Sequence, residues 1–173
     1  MKIQTTTITR LTLTNLENHD PIAVYVENFG EGTGKITITC WDDAWTNYWS
    51  HMGPHSLEEF FVKASPDYLV GKLKTGIRNE IDDEDLESLQ DLLKKEIIKQ
   101  RRALDLSHER ARELWGDVEM LWGWEERADI CSVLLGDERW HCTPKKPNPE
   151  YEHLTKVVGF VKEAFAQQAR GGD

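Results

Sequence analysis

Cysteine is scarce in this chain: Cys40, Cys131 and Cys142 are all there are in 173 residues. They are too few and too scattered for a disulfide framework and read as reduced thiols of a cytosolic protein. Long apolar runs are missing too. No stretch approaches the roughly 18 apolar residues of a membrane span. The opening Met1-Lys2-Ile3-Gln4-Thr5-Thr6-Thr7 holds no apolar signal core. Positive charge is in deficit, with 21 Lys and Arg against 31 Asp and Glu and a net charge of −10. A duplex or phosphate binder carries a basic footprint, so duplex nucleic acid is not an expected partner. No Ser-His-Asp or Cys-His arrangement can be read from the residue order. The expectation is a protein that is not an enzyme and takes no cofactor or metal.

What is present first is β-branched alternation. Leu11 and Leu13 alternate with Arg10, Thr12 and Thr14 within a Thr-rich stretch, 3–14. Asn18-His19-Asp20-Pro21 reads as a turn, after which Ile22, Val24 and Val26 alternate with Ala23, Tyr25 and Glu27. A glycine-rich loop at 30–34 leads to Ile36, Ile38 and Cys40, opposed by Thr37, Thr39 and Trp41. Three strands on short loops predict an antiparallel meander whose apolar face needs a cover of helices.

Helical signals dominate the remainder. Ser56-Leu57-Glu58-Glu59 is a capping box, and Ser65-Pro66 restarts the chain with proline at the first helical position. Leu86, Leu89, Leu93, Ile97 and Leu104 predict a helix from about Asp83 to Leu104. Residues 80–91 hold seven acids and no base, and 94–112 hold seven bases, a polarity that suits the helix dipole. Ser107 caps a second helix through Leu114, Val118 and Leu121, making a helical hairpin, with a short helix expected over 125–135. Thr143 to Pro149 reads as an extended linker because of its three prolines. Tyr151, Leu154, Val158, Val161 and Phe165 then mark an amphipathic terminal helix. The class expected is α+β. Residues 1–78 form the meander with short helices, and 79–173 form the helical region with its linker at 143–149, packed with the first part into one compact unit.

One stretch joins the two parts. Trp41, Trp45, Tyr48 and Trp49 recur at i, i+4, i+7 and i+8, the spacing of one helical face. Asp42 or Asp43 caps such a helix and Gly53-Pro54 ends it. Its tryptophans either seal the helix onto the sheet or stand out as a binding stripe, since interfaces use aromatics as anchors.

Several chemical motifs fail on spacing. The loop before Lys35 lacks the phosphate-loop pattern: Phe29 stands where its first glycine belongs, and a strand follows instead of a helix. His51 and His55 are four apart, but Gly53 and Pro54 break any helix that would align them. Cys131, His141 and Cys142 lack a C-x-x-C partner. Asp82, Asp83, Glu84 and Asp85 lack the pattern of a calcium loop, and read as a dipole-matched helix start or as an acidic decoy of nucleic acid.

The run Ile36-Thr37-Ile38-Thr39-Cys40-Trp41, with Trp45-Thr46-Asn47-Tyr48-Trp49-Ser50-His51-Met52-Gly53 and Glu59-Phe60-Phe61, resembles a family of small accessory proteins encoded by tailed phages and prophages of enteric bacteria. Pro144 to Tyr151 and the following helix are similar to that family's C-terminal end. The resemblance covers about residues 1–75 and 136–169. It implies an accessory phage gene acting in the bacterial cytoplasm and brings no catalytic residue with it. The function expected is binding to a host or phage protein complex, inhibiting a defence or nucleic-acid-processing assembly. Its candidate contacts are Trp41, Asp42, Asp43, Trp45, Tyr48, Trp49 and His51, with Asp82, Asp83, Glu84 and Asp85. The alternative is a single-stranded nucleic-acid accessory factor, with Lys94, Lys95, Lys99, Arg101 and Arg102 as a basic groove beside the aromatics. A homodimer through the helical hairpin is left open.

Overall fold

A computed structural model describes the chain apart from residues 4, 6, 122–123, 137–143 and 172–173, with the backbone alone at 82–84 and 124–126. The chain divides into two compact units, Met1–Asn79 with Asn148–Asp173, and Glu80–Pro147. The terminal helix thus belongs to the N-terminal unit. None of the described helices is long and apolar enough to cross a membrane.

The first unit is built on a sheet of β1 (Thr9–Leu13), β2 (Ile22–Gly30), β3 (Thr33–Cys40) and β4 (Asp43–Trp49), antiparallel throughout and in sequence order. Alternation fixes its register: Ile22, Val24 and Val26 of β2 and Ile36, Ile38 and Cys40 of β3 are buried while their neighbours are not. The α+β class holds. The meander has four strands, however, not three, because the predicted aromatic helix is β4. A spacing of four is close to one helical turn and is also two full strand periods, so Trp45 and Trp49 share a face either way. Tyr48 decides between the two. It is 55% exposed while Trp45 and Trp49 are each 6% exposed, as strand alternation requires. Trp, Thr and Tyr also favour strands, and Ala44 is the single strong helix former between Asp43 and Trp49.

Three helices cover the apolar face: α1 (Leu57–Lys63), α2 (Pro66–Leu73) and α6 (Pro149–Arg170). Ser56 and Ser65 cap α1 and α2 as expected, accepting from the Glu59 and Tyr68 amides. Asn28 of β2 fixes the start of α1, accepting from the Leu57 amide at 3.1 Å and donating to the Glu58 carboxylate. The core gathers Leu57, Phe61, Leu69, Val70, Leu154, Val158, Val161 and Phe165 onto the sheet. The Trp49 indole donates to the Tyr68 hydroxyl at 3.1 Å, which gives a buried N–H its partner. Tyr151 donates to Asp67 at 2.6 Å, and that bond, with some desolvation, raises its phenol above the ordinary value. The other end of the linker is tied by Asn148, which caps α6 and donates to the Arg78 and Asn79 carbonyls at 2.8 Å.

The second unit opens with β5 (Glu80–Glu84), where a helix start was expected. It pairs antiparallel with β6 (Lys145–Pro147), the middle of the predicted linker. A two-stranded ribbon has only edges, so proline is tolerated there. Helices α3 (Leu86–Arg102), α4 (His108–Glu119) and α5 (Trp124–Leu135) bury Leu89, Leu93, Ile97, Leu114, Val118, Cys131 and Leu134 together. Ser107 caps α4, and Asp85 caps α3 by accepting from the Ser88 amide at 3.1 Å.

That cap makes a pH prediction. The Ser88 amide and hydroxyl, with smaller help from the Glu87 amide and Lys146, hold the Asp85 carboxyl below its ordinary value. A depressed pKa stabilises the fold above the unfolded value, and the contribution disappears as pH falls through the folded one. The Ser88 amide resonance should therefore titrate below the usual aspartate range, and Asp85→Asn should abolish the step. A Ser88 titration at the ordinary aspartate value would show the cap to be absent in solution.

Candidate functional site

The aromatic residues singled out in the sequence part company along β4. Trp45 and Trp49 belong to the core. Trp41, Asp42, Asp43, Tyr48 and His51 are exposed or border solvent, with Tyr48 on the outer face of the sheet beside Phe29, ring centroids 6.0 Å apart. His51 lies past the strand, its Nδ1 3.0 Å from the Ser50 hydroxyl.

Trp41 has the most unusual position. Cys40 pairs with Asp43, so Trp41 and Asp42 alone make the turn of a two-residue hairpin. Such tight hairpins need a positive φ, usually supplied by Gly, Asn or Asp. Trp41 supplies it at 51° and is 79% exposed. A bulky side chain in the left-handed region costs about 1–3 kcal/mol, and strain of this kind gathers at functional positions.

Behind the same turn lies a group that sequence spacing does not reveal. His19, from the β1–β2 loop, Cys40, the last residue of β3, and His153, on α6, bring one nitrogen or sulfur each to within 4.8 Å of one another. The two imidazoles stack at 5.2 Å with their planes 8° apart, and His19 also meets the edge of Phe160. Trp45 lies against His153 at 5.8 Å. His19 Nδ1 is 3.0 Å from the Asp20 carbonyl oxygen. A carbonyl only accepts, so Nδ1 carries the proton and the lone pair is on Nε2. That Nε2 is buried and has no hydrogen-bond partner among the described residues. Burial, then the negative charges of Asp20 and Asp43, push the Cys40 thiol above its ordinary value. The intervals of 21 and 113 residues match no short motif. The available signal was Cys40 at the inner end of one strand with His19 in the turn before its neighbour.

The remaining candidates lie in the second unit. Asp82, Asp83 and Glu84 have their backbone in β5 and their side chains outside the described residues, as His141 and Cys142 are altogether. Asp85 is the cap of α3. Lys94 bonds Glu119 at 3.2 Å and sits 5.2 Å over the Trp115 ring, and Lys99 bonds Glu96 at 3.0 Å. Lys95 and Arg102 are exposed. Arg101, Arg102 and Arg112 line an apolar groove of about 410 Å³ with Ile97, Ala111 and Trp115. The aromatic turn and these bases therefore belong to different units.

No curated protein and no solved structure matches this chain. The family model Phage_phiTE_072, described as a phage family, matches residues 1–167, and the chain belongs to that family.

Proposed function

We propose that this phage-family protein is a non-enzymatic accessory factor that works by binding another protein, with Trp41 as the anchor. The observation that carries this reading is a tryptophan held at a strained turn where a glycine would be easier and solvent covers most of its ring. An exposed tryptophan on a tight turn is the type of side chain that dominates interface energies. Asp42 and Asp43 give the anchor an acidic rim and favour a partner with a basic surface. Phage origin and a net charge of −10 support a more specific form, inhibition of a host defence or nucleic-acid-processing complex in the bacterial cytoplasm.

Trp41→Gly is the test, because glycine adopts the turn freely. Relief of the strained φ offsets the added chain entropy, and stability should change by less than about 1 kcal/mol. Wild-type protein immobilised in host lysate should retain a discrete partner, and Trp41→Gly should weaken that complex about 30-fold or more, the effect of losing a hot-spot tryptophan. Equal retention by both proteins, or no partner from growing or infected cells, would refute the reading.

The groove beside Trp115 favours a second reading, single-strand nucleic-acid binding, because guanidiniums around an aromatic suit stacked bases. It requires salt-sensitive binding of oligonucleotides that weakens in Arg101→Ala/Arg102→Ala. No mobility shift at low salt would end it.

A further inference from the structure

We propose that His19, Cys40 and His153 form a binding site for a divalent transition metal of the zinc class, at the end of the sheet behind the Trp41 turn. Two imidazoles and a thiol make a borderline-soft donor set that suits zinc or cobalt and does not suit magnesium or calcium. The donors come from a loop, a strand and a helix of the same unit. A strand and a helix hold two of them, and the β1–β2 loop brings the third to the same point without any help from local sequence spacing.

The His19 ring is already arranged as metal-bound histidines are. Such a ring usually gives its second N–H to a carbonyl or carboxylate, which fixes the tautomer and aims the lone pair at the ion. Here Nδ1 donates to the Asp20 carbonyl, and Nε2 is buried with no partner for its lone pair among the described residues. Leaving such a group unsatisfied is costly in a purely structural cluster. A metal ion at Nε2 removes that cost.

The geometry needs one ring to turn. A tetrahedral ion about 2.0–2.3 Å from nitrogen and sulfur spaces its ligand atoms about 3.3–3.6 Å apart. The three donors lie within 4.8 Å of one another, and turning the His153 ring out of its parallel stack with His19 brings both in-plane lone pairs to a common point. Binding displaces the thiol proton from Cys40 into solvent, which gives one proton released per ion if both imidazoles are neutral. Three protein ligands leave the fourth position to water.

The test uses chelator-stripped, reduced full-length protein titrated with Co²⁺ and then with Zn²⁺. Cobalt should bind one-to-one and give both a near-ultraviolet thiolate charge-transfer band and the visible bands of tetrahedral cobalt, which zinc then bleaches. His19→Gln and His153→Gln should each weaken binding at least tenfold, and Cys40→Ser should lose the charge-transfer band. Cys131→Ser/Cys142→Ser should keep it. Zinc should raise the thermal midpoint of the wild type and leave that of His19→Gln/His153→Gln unmoved. Because Cys40 is buried, the histidine variants carry the test if Cys40→Ser fails to fold. Absence of the charge-transfer band in the wild type, or undiminished binding in the double histidine variant, overturns the proposal.

Discussion

Phe61→Ala should destabilise the N-terminal unit by about 3–5 kcal/mol, the usual cost of emptying a fully buried phenylalanine site. Helix α1 has seven residues, Leu57–Lys63, far below the length at which a helix is stable alone in water. Its cap contributes little without packing, so α1 exists because Leu57 and Phe61 are driven into the core. Phe61 is completely buried and meets Phe165 edge-to-face, ring centroids 5.7 Å apart at 89°, with Trp49 at 6.5 Å and 90° on another side. The ring therefore joins α1 to α6 and to β4 at one point, and a cavity there cannot be closed by moving a single element. A loss of this size is a large part of the about 5–15 kcal/mol that keeps a typical domain folded. Phe61→Leu, which keeps most of the volume, should cost much less. A double-mutant cycle with Phe165→Leu should show a coupling of about 0.5–1.5 kcal/mol for the aromatic pair. The measurement is hydrogen exchange of the β2 and β3 amides in rising urea. A loss below about 1 kcal/mol for Phe61→Ala would mean that α1 does not pack on the sheet as described.

The same residues show what could be read from the sequence. Alternation in β2 and β3 and the serine caps of α1, α2 and α4 are local signals, and each appears where its physical cause places it. The stretch from Asp43 to Trp49 defeats periodicity, because tryptophans four apart satisfy both a helix and a strand. What separates the two is Tyr48, which a helix turns inward with Trp45 and a strand turns outward. The acidic start of the second unit was ambiguous for a related reason. Asp85 is a good helix cap, but nothing local says that the five residues before it will find β6 across more than sixty residues of chain. The His19, Cys40 and His153 group is the extreme case. Its members meet only because the β1–β2 loop, the end of β3 and α6 come together in the fold, so no window of sequence contains it. Charge count was a weak guide to surface chemistry as well: two of the five candidate bases, Lys94 and Lys99, are engaged with Glu119 and Glu96.

Gly32→Ala should cost about 2–4 kcal/mol, from two separate causes. The β2–β3 turn is two residues long, Glu31 and Gly32, between the paired Gly30 and Thr33. Gly32 has φ of +66°, where an L-residue loses about 1–2 kcal/mol relative to glycine. A methyl group there would also stand 2.3 Å from the Gly53 carbonyl oxygen, a backbone atom that no rotamer change can move away. The contact is close because the chain leaving β4 returns to this turn, the Met52 amide donating to the Gly32 carbonyl at 2.8 Å. Met52 is buried in the core, so pushing the two backbones apart would also withdraw that side chain and disturb the approach to α1. Gly53 separates the two causes. Its φ of +68° is almost the same, but a Cβ added there meets nothing within 4 Å. Gly53→Ala should therefore show the conformational cost alone, about 1–2 kcal/mol, and Gly32→Ala should exceed it. Urea midpoints and slopes of the two variants measure the difference directly. Equal losses would mean that the turn and the segment after β4 are not in backbone contact. A larger loss at Gly32 locates the close contact between the β2–β3 turn and the segment that leaves β4.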